Sequence, residues 1–119
     1  MKIFAALLLL ISGSVSALQV TNVVYNQQLD QLEVQVLYNG GCFEHRFEMN
    51  LVNCEISNTQ NIGVVNVCDA KIIDVTGKED RCQAMIKRQL NISLSGLSNE
   101  VRPVLVGFES GVVLVPRKS

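Results

Sequence analysis

Few residues in this chain could do chemistry, and they cluster. His45 is the only histidine. It lies in the run Asn39-Gly40-Gly41-Cys42-Phe43-Glu44-His45-Arg46-Phe47-Glu48-Met49. Catalytic triads and dyads mostly need a histidine to carry the proton. Cys42-x-x-His45 could also offer a sulfur and a nitrogen to a metal ion. Nothing in the sequence marks a catalytic partner, because there is no Gly-x-Ser-x-Gly elbow. On an extended strand, residues three apart face opposite sides, so Cys42 and His45 would not converge. Metal binding would also need Cys42 reduced. We therefore expect no catalytic residue and no metal, with His45 the one candidate ligand. The simpler reading is a core histidine whose ring nitrogens bond a carboxylate or a backbone carbonyl. If Cys42 pairs with Cys82 across antiparallel strands, the Glu79-Asp80 turn lies beside His45, and Asp80 is the expected contact. Gly40 and Gly41 complete this structural cluster by permitting a tight turn or bulge.

There are four cysteines, Cys42, Cys54, Cys68 and Cys82, at spacings of 12, 14 and 14. In an exported chain of this size they imply disulfides. No close Cys-x-x-Cys pair is present, which argues against a zinc site made from all of them. Three connectivities are possible. We read the nested one, with Cys42–Cys82 enclosing Cys54–Cys68. The inner bridge would close a hairpin-like pair of strands, and a loop of that size is worth about 3 kcal/mol in the chain-entropy model.

Other chemistries lack their signatures. Gly40-Gly41 has no following Gly, Lys and helix, so there is no phosphate loop, and we expect no cofactor. The acidic residues fall mostly at outward strand positions or in turns, where they are solvated rather than paired for glycoside chemistry. Ten Lys and Arg against eleven Asp and Glu give a formal net charge of −1. The basic residues are scattered, so nucleic-acid binding lacks its electrostatic footprint. Asn91-Ile92-Ser93 matches a glycosylation sequon but falls within an expected strand, and we read it as chance.

These residues need a scaffold and a compartment. Lys2, the apolar run Ile3 to Ile11 and the small residues to Val15-Ser16-Ala17 read as a signal peptide over residues 1–17, cleaved after Ala17. Leu18 stands where a lipoprotein would carry its modified Cys. We expect residues 18–119 to form a single domain, periplasmic or secreted. No later apolar run is long enough to span a membrane.

The mature chain alternates with a period of two, which predicts an all-β fold. Leu18 to Tyr25 is a strand with a phase slip at Thr21-Asn22, the mark of a bulge. Asn26 to Asp30 is a turn. Leu32, Val34, Val36 and Tyr38 face inward on the next strand. Phe43 to Leu51 alternates with Phe43, His45, Phe47, Met49 and Leu51 on one face and charges on the other. Ser57 to Asn61 reads as a loop. Ile62 to Val75 is strand-rich, and Thr76 to Asp80 is a charged turn. Cys82 to Leu94 reads as a long strand, although Met85 to Leu90 also fits a helical turn. Ser95 to Glu100 turns the chain, and Pro103 to Phe108 with Val112 to Val115 makes a hairpin around Glu109-Ser110-Gly111. Pro103 at a strand start is where a strand accepts proline. About seven or eight short strands with turns roughly every ten residues indicate a small antiparallel β-sandwich, or alternatively a small barrel.

Gly40-Gly41-Cys42-x-x-His45-x-Phe47-x-Met49, then Asp80-x-Cys82-x-Ala84, then Leu90-x-Ile92-x-Leu94-Ser95-x-Leu97 resembles a group of small exported bacterial proteins, many of them lipoproteins, of unestablished function. The resemblance covers roughly Asn39 to Leu97. It implies that Cys42 and Cys82 are the common pair, and that His45 and Asp80 belong to the recurring cluster. Cys54 and Cys68 are additions here, and their joint arrival supports a bond between them. The resemblance implies no activity.

The sequence therefore predicts a disulfide-stapled β domain that is not an enzyme and acts by binding a protein, with inhibition of an envelope or foreign hydrolase as one form. The alternative is a metal or small-ligand binder centred on His45.

Overall fold

The computed structural model describes residues 18–118, and all its regular elements are strands. They are β1 (Gln19–Asn26), β2 (Gln31–Gly40), β3 (Phe47–Thr59), β4 (Gly63–Asp74), β5 (Ala84–Ser93), β6 (Val104–Phe108) and β7 (Gly111–Val115). The expected signal peptide and its cleavage point lie outside the described residues. Among those described, no helix is long and apolar enough to cross a membrane.

The strands form two sheets, one ordered β1-β2-β5 and the other β3-β4-β6-β7. β2 is the central strand of the first sheet, and its alternation sends Leu32, Val34, Val36 and Tyr38 into the core. Val104 and Val106 of β6, Val115 of β7 and Cys68 of β4 meet them from the second sheet. Leu90 and Leu94 close the same cluster from β5 and the segment after it. Over the described residues the fold is thus all-β, with seven strands in two sheets around one core.

Local details agree with the alternation where it was clean. The phase slip in β1 is a bulge, since the register with β2 shifts between Val20 and Asn22. Met85 to Leu90 is strand rather than helix, because ten consecutive pairs tie β5 to β2.

Three differences have physical causes. The sheets are not wholly antiparallel, as β6 runs parallel to β4 from Asn66↔Val104 to Asp69↔Gly107. After β4 the chain crosses to the first sheet for β5, and returns beside β4 in the same direction. Next, β3 begins at Phe47 rather than Phe43. Gly41 takes φ +116°, and Asp80 accepts the Gly41 and Cys42 N–H groups, so residues 41–46 leave the ladder. Finally, β3 continues through Ser57 to Thr59, and only Gln60 to Ile62 turns. Thr59 Oγ1 donates to the Gly63 carbonyl and accepts from Ile62 N, which fixes that tight turn.

Both disulfides are nested as the sequence suggested: Cys42–Cys82 and Cys54–Cys68. Cys42–Cys82 joins the exit of β2 to the entry of β5, just past the pair Gly40↔Ala84. Cys54–Cys68 crosses β3 to β4 at a bulge, where the register shifts between Val52 and Glu55 and Asn53 adopts φ +53°.

Candidate functional site

The chain exit from β2 delivers His45 to the core margin, where it is 4% exposed. Its ring is stacked on Phe43 at 4.9 Å between centroids and tilted against Tyr38 at 5.0 Å. Phe47 stacks farther off, at 6.1 Å. Both ring nitrogens meet carboxylates: Nδ1 lies 2.6 Å from Asp74 Oδ2, and Nε2 lies 2.6 Å from Asp80 Oδ2. An imidazole with an acceptor at each nitrogen can satisfy both only by donating from both, which requires the protonated ring.

Each carboxylate is itself held. Asp80 Oδ1 accepts from Cys82 N at 3.0 Å and Cys42 N at 3.4 Å, and Oδ2 accepts from Gly41 N at 3.2 Å. The Asp80 side chain is 3% exposed. Asp74 lies at the end of β4, half open to solvent, and takes the Thr76 N–H at 2.9 Å and the Thr76 hydroxyl. Thr76 Oγ1 in turn accepts from Arg46 N, and Arg88 Nη1 donates to the His45 carbonyl at 2.6 Å. Lys78 sits over the Phe43 ring at 4.6 Å.

The electrostatics follow from these contacts. The hydrogen bond to Asp80, then the one to Asp74, raises the His45 pKa above the ordinary imidazole value, against the opposing effect of burial. The His45 bond holds Asp80 below the usual carboxylate range, again against burial. Burial pushes Asp74 up, but hydrogen bonds from Thr76 and His45 outweigh it and leave Asp74 lowered.

Gly40 is what lets this cluster close. A Cβ there would lie 2.9 Å from Asp80 Oδ2 and 3.0 Å from His45 Nε2. Of the sequence candidates, the fold brings Gly40, Gly41, Cys42, His45, Asp80 and Cys82 together, while Cys54 and Cys68 sit on the β3–β4 hairpin. The expectation that Cys42 and His45 face opposite sides of a strand does not apply, since neither is in one.

Sequence reasoning missed two groups. Asp74 is the second carboxylate on His45; its signal was Asp74-x-Thr76 at a strand end, where an Asp side chain caps the turn two residues on. The other is Arg102, 1% exposed. Its Nη1 and Nη2 bond Asp30 Oδ1 and Oδ2 at 2.8 and 3.0 Å, and it donates to the Leu94 and Leu97 carbonyls. Tyr25 donates its hydroxyl to Asp30 Oδ1. These bonds, Arg102 first, lower the Asp30 pKa to about 2. A single charge in the apolar run Val101 to Phe108 was the available clue, because such a charge must find a partner on burial.

A groove of about 420 Å³ lined by Leu18, Tyr38, Phe47, Lys71, Ile72 and Asp74 among others reaches the histidine cluster at Asp74. His45 is not among its lining residues. No family model, curated protein or solved structure matches the chain.

A second surface stands out. On the β3–β4 hairpin, beyond the Cys54–Cys68 bridge, Ile56 is 76%, Val64 64% and Ile62 40% exposed. Ile56 faces Asn66 and Asn58 faces Val64 in the register, so Ile56 and Val64 are diagonal neighbours on one face. Ile62 adjoins them in the turn.

Proposed function

We propose that this protein is a non-catalytic binding module of the periplasm or extracellular space, whose contact surface for a protein partner is the tip of the β3–β4 hairpin. The observation that carries this reading is the exposure of Ile56, Ile62 and Val64 together at the end of a disulfide-closed hairpin. Branched apolar side chains at such exposure lose hydration free energy with nothing folded over them, and burial against a partner recovers it. The Cys54–Cys68 bridge and the Thr59 bonds hold the tip in one shape before binding, which lowers the ordering cost of association. β3 is also an edge strand, so its outer backbone groups are open to strand addition. Inhibition of an envelope or foreign hydrolase is the form of binding that a rigid projecting hairpin suits.

The histidine cluster supports the same reading by its other role. Both His45 nitrogens are engaged at 2.6 Å, and the ring is packed among aromatics. A histidine so held joins the β2 exit, the β4 end and the Asp80 turn. The resemblance to small exported bacterial proteins fits with this cluster as a shared structural device and the stapled hairpin as this chain's own addition.

The test is capture from an envelope extract on immobilised protein, followed by titration of the recovered partner. Micromolar or tighter binding that weakens at least tenfold in Ile56→Ser/Ile62→Ser/Val64→Ser supports the proposal. Recovery of nothing, or binding indifferent to these substitutions, overturns it.

A further inference from the structure

The edge of a β-sheet presents unpaired N–H and C=O groups, and proteins defend their edges with charge, proline, bulges or brevity. The edges here are defended unequally. β5 carries an exposed Lys87, β1 is broken by its bulge, and β7 has 5 residues. β3 is broken too, by the register shift between Val52 and Glu55. Beyond that shift, Glu55 to Thr59 pairs with β4 without interruption. From Ile56 to Cys68 no residue is charged and none is proline. The neighbouring strands fix where the backbone groups of this edge point. Asn66 N donates to the Pro103 carbonyl, so Asn66 turns toward β6. Alternation then turns Val65 and Val67 toward β3, where their partners are Ser57 and Glu55. Ile56 and Asn58 therefore direct their N–H and C=O groups away from β4, and among the described residues no strand lies beyond β3.

We infer that two copies of this chain pair through this edge, antiparallel about a two-fold axis at Ser57. Self-pairing rests on the hairpin tip being a contact surface, and it names a second copy as the occupant when no other partner is bound. In that register Ile56 lies opposite Asn58 of the second copy, and Asn58 opposite its Ile56. Each of these pairs exchanges both of its N–H and C=O groups, so the outward groups of the edge are satisfied and the interface is isologous. The side chains agree with the same register. Ile56, 76% exposed, becomes the diagonal neighbour of Ile56 of the second copy, and Val64 lies on the same face. The charges agree as well. Glu55 is the one charge between Cys54 and Cys68, and it falls opposite Thr59 of the second copy. The two Glu55 carboxylates then stand four residues apart along the paired strands, on the order of 13 Å, so like charges do not meet. The Cys54–Cys68 bridge and the Thr59 bonds hold the edge in shape before it pairs. The paired segment is far shorter than the roughly 20–30 residues a side of a standard interface, so the dimer is weak, with a dissociation constant on the order of 10–100 micromolar.

The test is sedimentation of the purified protein from about 1 to 500 micromolar, a range that spans weak association. A monomer–dimer equilibrium is expected. Amide exchange in the same protein should slow at Ile56 and Asn58 as concentration rises, while Ser57, bonded within the hairpin, stays protected throughout. Proline is accepted where an edge-strand N–H faces solvent, so Asn58→Pro spares the hairpin and removes a donor from the dimer. It should weaken dimerisation at least tenfold with the sheet signal in circular dichroism unchanged. Sedimentation as a monomer throughout, exchange at Ile56 and Asn58 that ignores concentration, or a dimer undiminished in Asn58→Pro overturns self-pairing. A monomer that still captures a partner from extract through Ile56, Ile62 and Val64 overturns self-pairing alone and leaves the hairpin as a contact surface. An intact dimer that captures nothing from extract supports self-pairing and removes the foreign partner.

Discussion

His45 donates to Asp74 and Asp80 at once, so its charge state should govern stability. Its folded pKa is raised, so its contribution is complete below the unfolded value of about 6.5 and is lost as pH rises through the folded one. The folded pKa values of Asp74, Asp80 and Asp30 are lowered. Their contributions are complete above about pH 4 and are lost as pH falls through the folded values. Thermal melts across pH should therefore show a stability plateau from about pH 4 to 6.5 that declines on both sides. In His45→Gln the alkaline decline should vanish along with part of the plateau height. An unchanged alkaline limb in that variant would contradict a protonated His45. At Arg102, truncation to Met leaves Asp30 partly buried without its bidentate partner, and denaturant unfolding should show a loss of about 3 kcal/mol. The histidine–Asp80 contact was legible in the sequence because a disulfide and a strand register imply it. Asp74 and Arg102 were not: Asp74 reaches His45 through the β3–β4 register at Phe47↔Asp74, and Arg102 reaches Asp30 from the connection between β5 and β6, neither of which period-two alternation encodes.

Among the elements, β2 was the most legible. Leu32, Val34, Val36 and Tyr38 alternate without interruption, and a central strand has one buried face to fill. The start of β3 was misjudged because Phe43, His45 and Phe47 keep the strand period in sequence after the chain has left the ladder. Their shared side survives as a stack of rings rather than as a pleat. Gly40→Ala tests the packing of this corner. The added Cβ meets Asp80 and His45 atoms that are locked to each other, so a destabilisation of about 1–3 kcal/mol is expected by denaturant titration. At the hairpin, replacing Cys54 and Cys68 together with Ala should cost about 3 kcal/mol in the chain-entropy model. The same change should also weaken partner binding, because the tip loses its fixed shape.

For the whole molecule, the clean alternation and the even turn spacing revealed two sheets about one core, and the parallel β4–β6 pairing was hidden from them. Parallel neighbours are distant in sequence and leave no local turn signal between them. The candidate contact surface was equally hidden. Ile56, Ile62 and Val64 look like core residues by type, and only the register of Ile56 and Val64 and the turn at Ile62 show that they lie past the bridge at one exposed tip. The His45 cluster and Cys42–Cys82 hold the β2–β5 end, and the stapled hairpin is left as the proposed contact surface. The most direct measurement is the affinity of the captured partner for wild type and for Ile56→Ser/Ile62→Ser/Val64→Ser, with both proteins shown to melt alike. Binding that falls at least tenfold in the variant at equal stability is the expected result. Equal affinity of the two proteins would contradict the account.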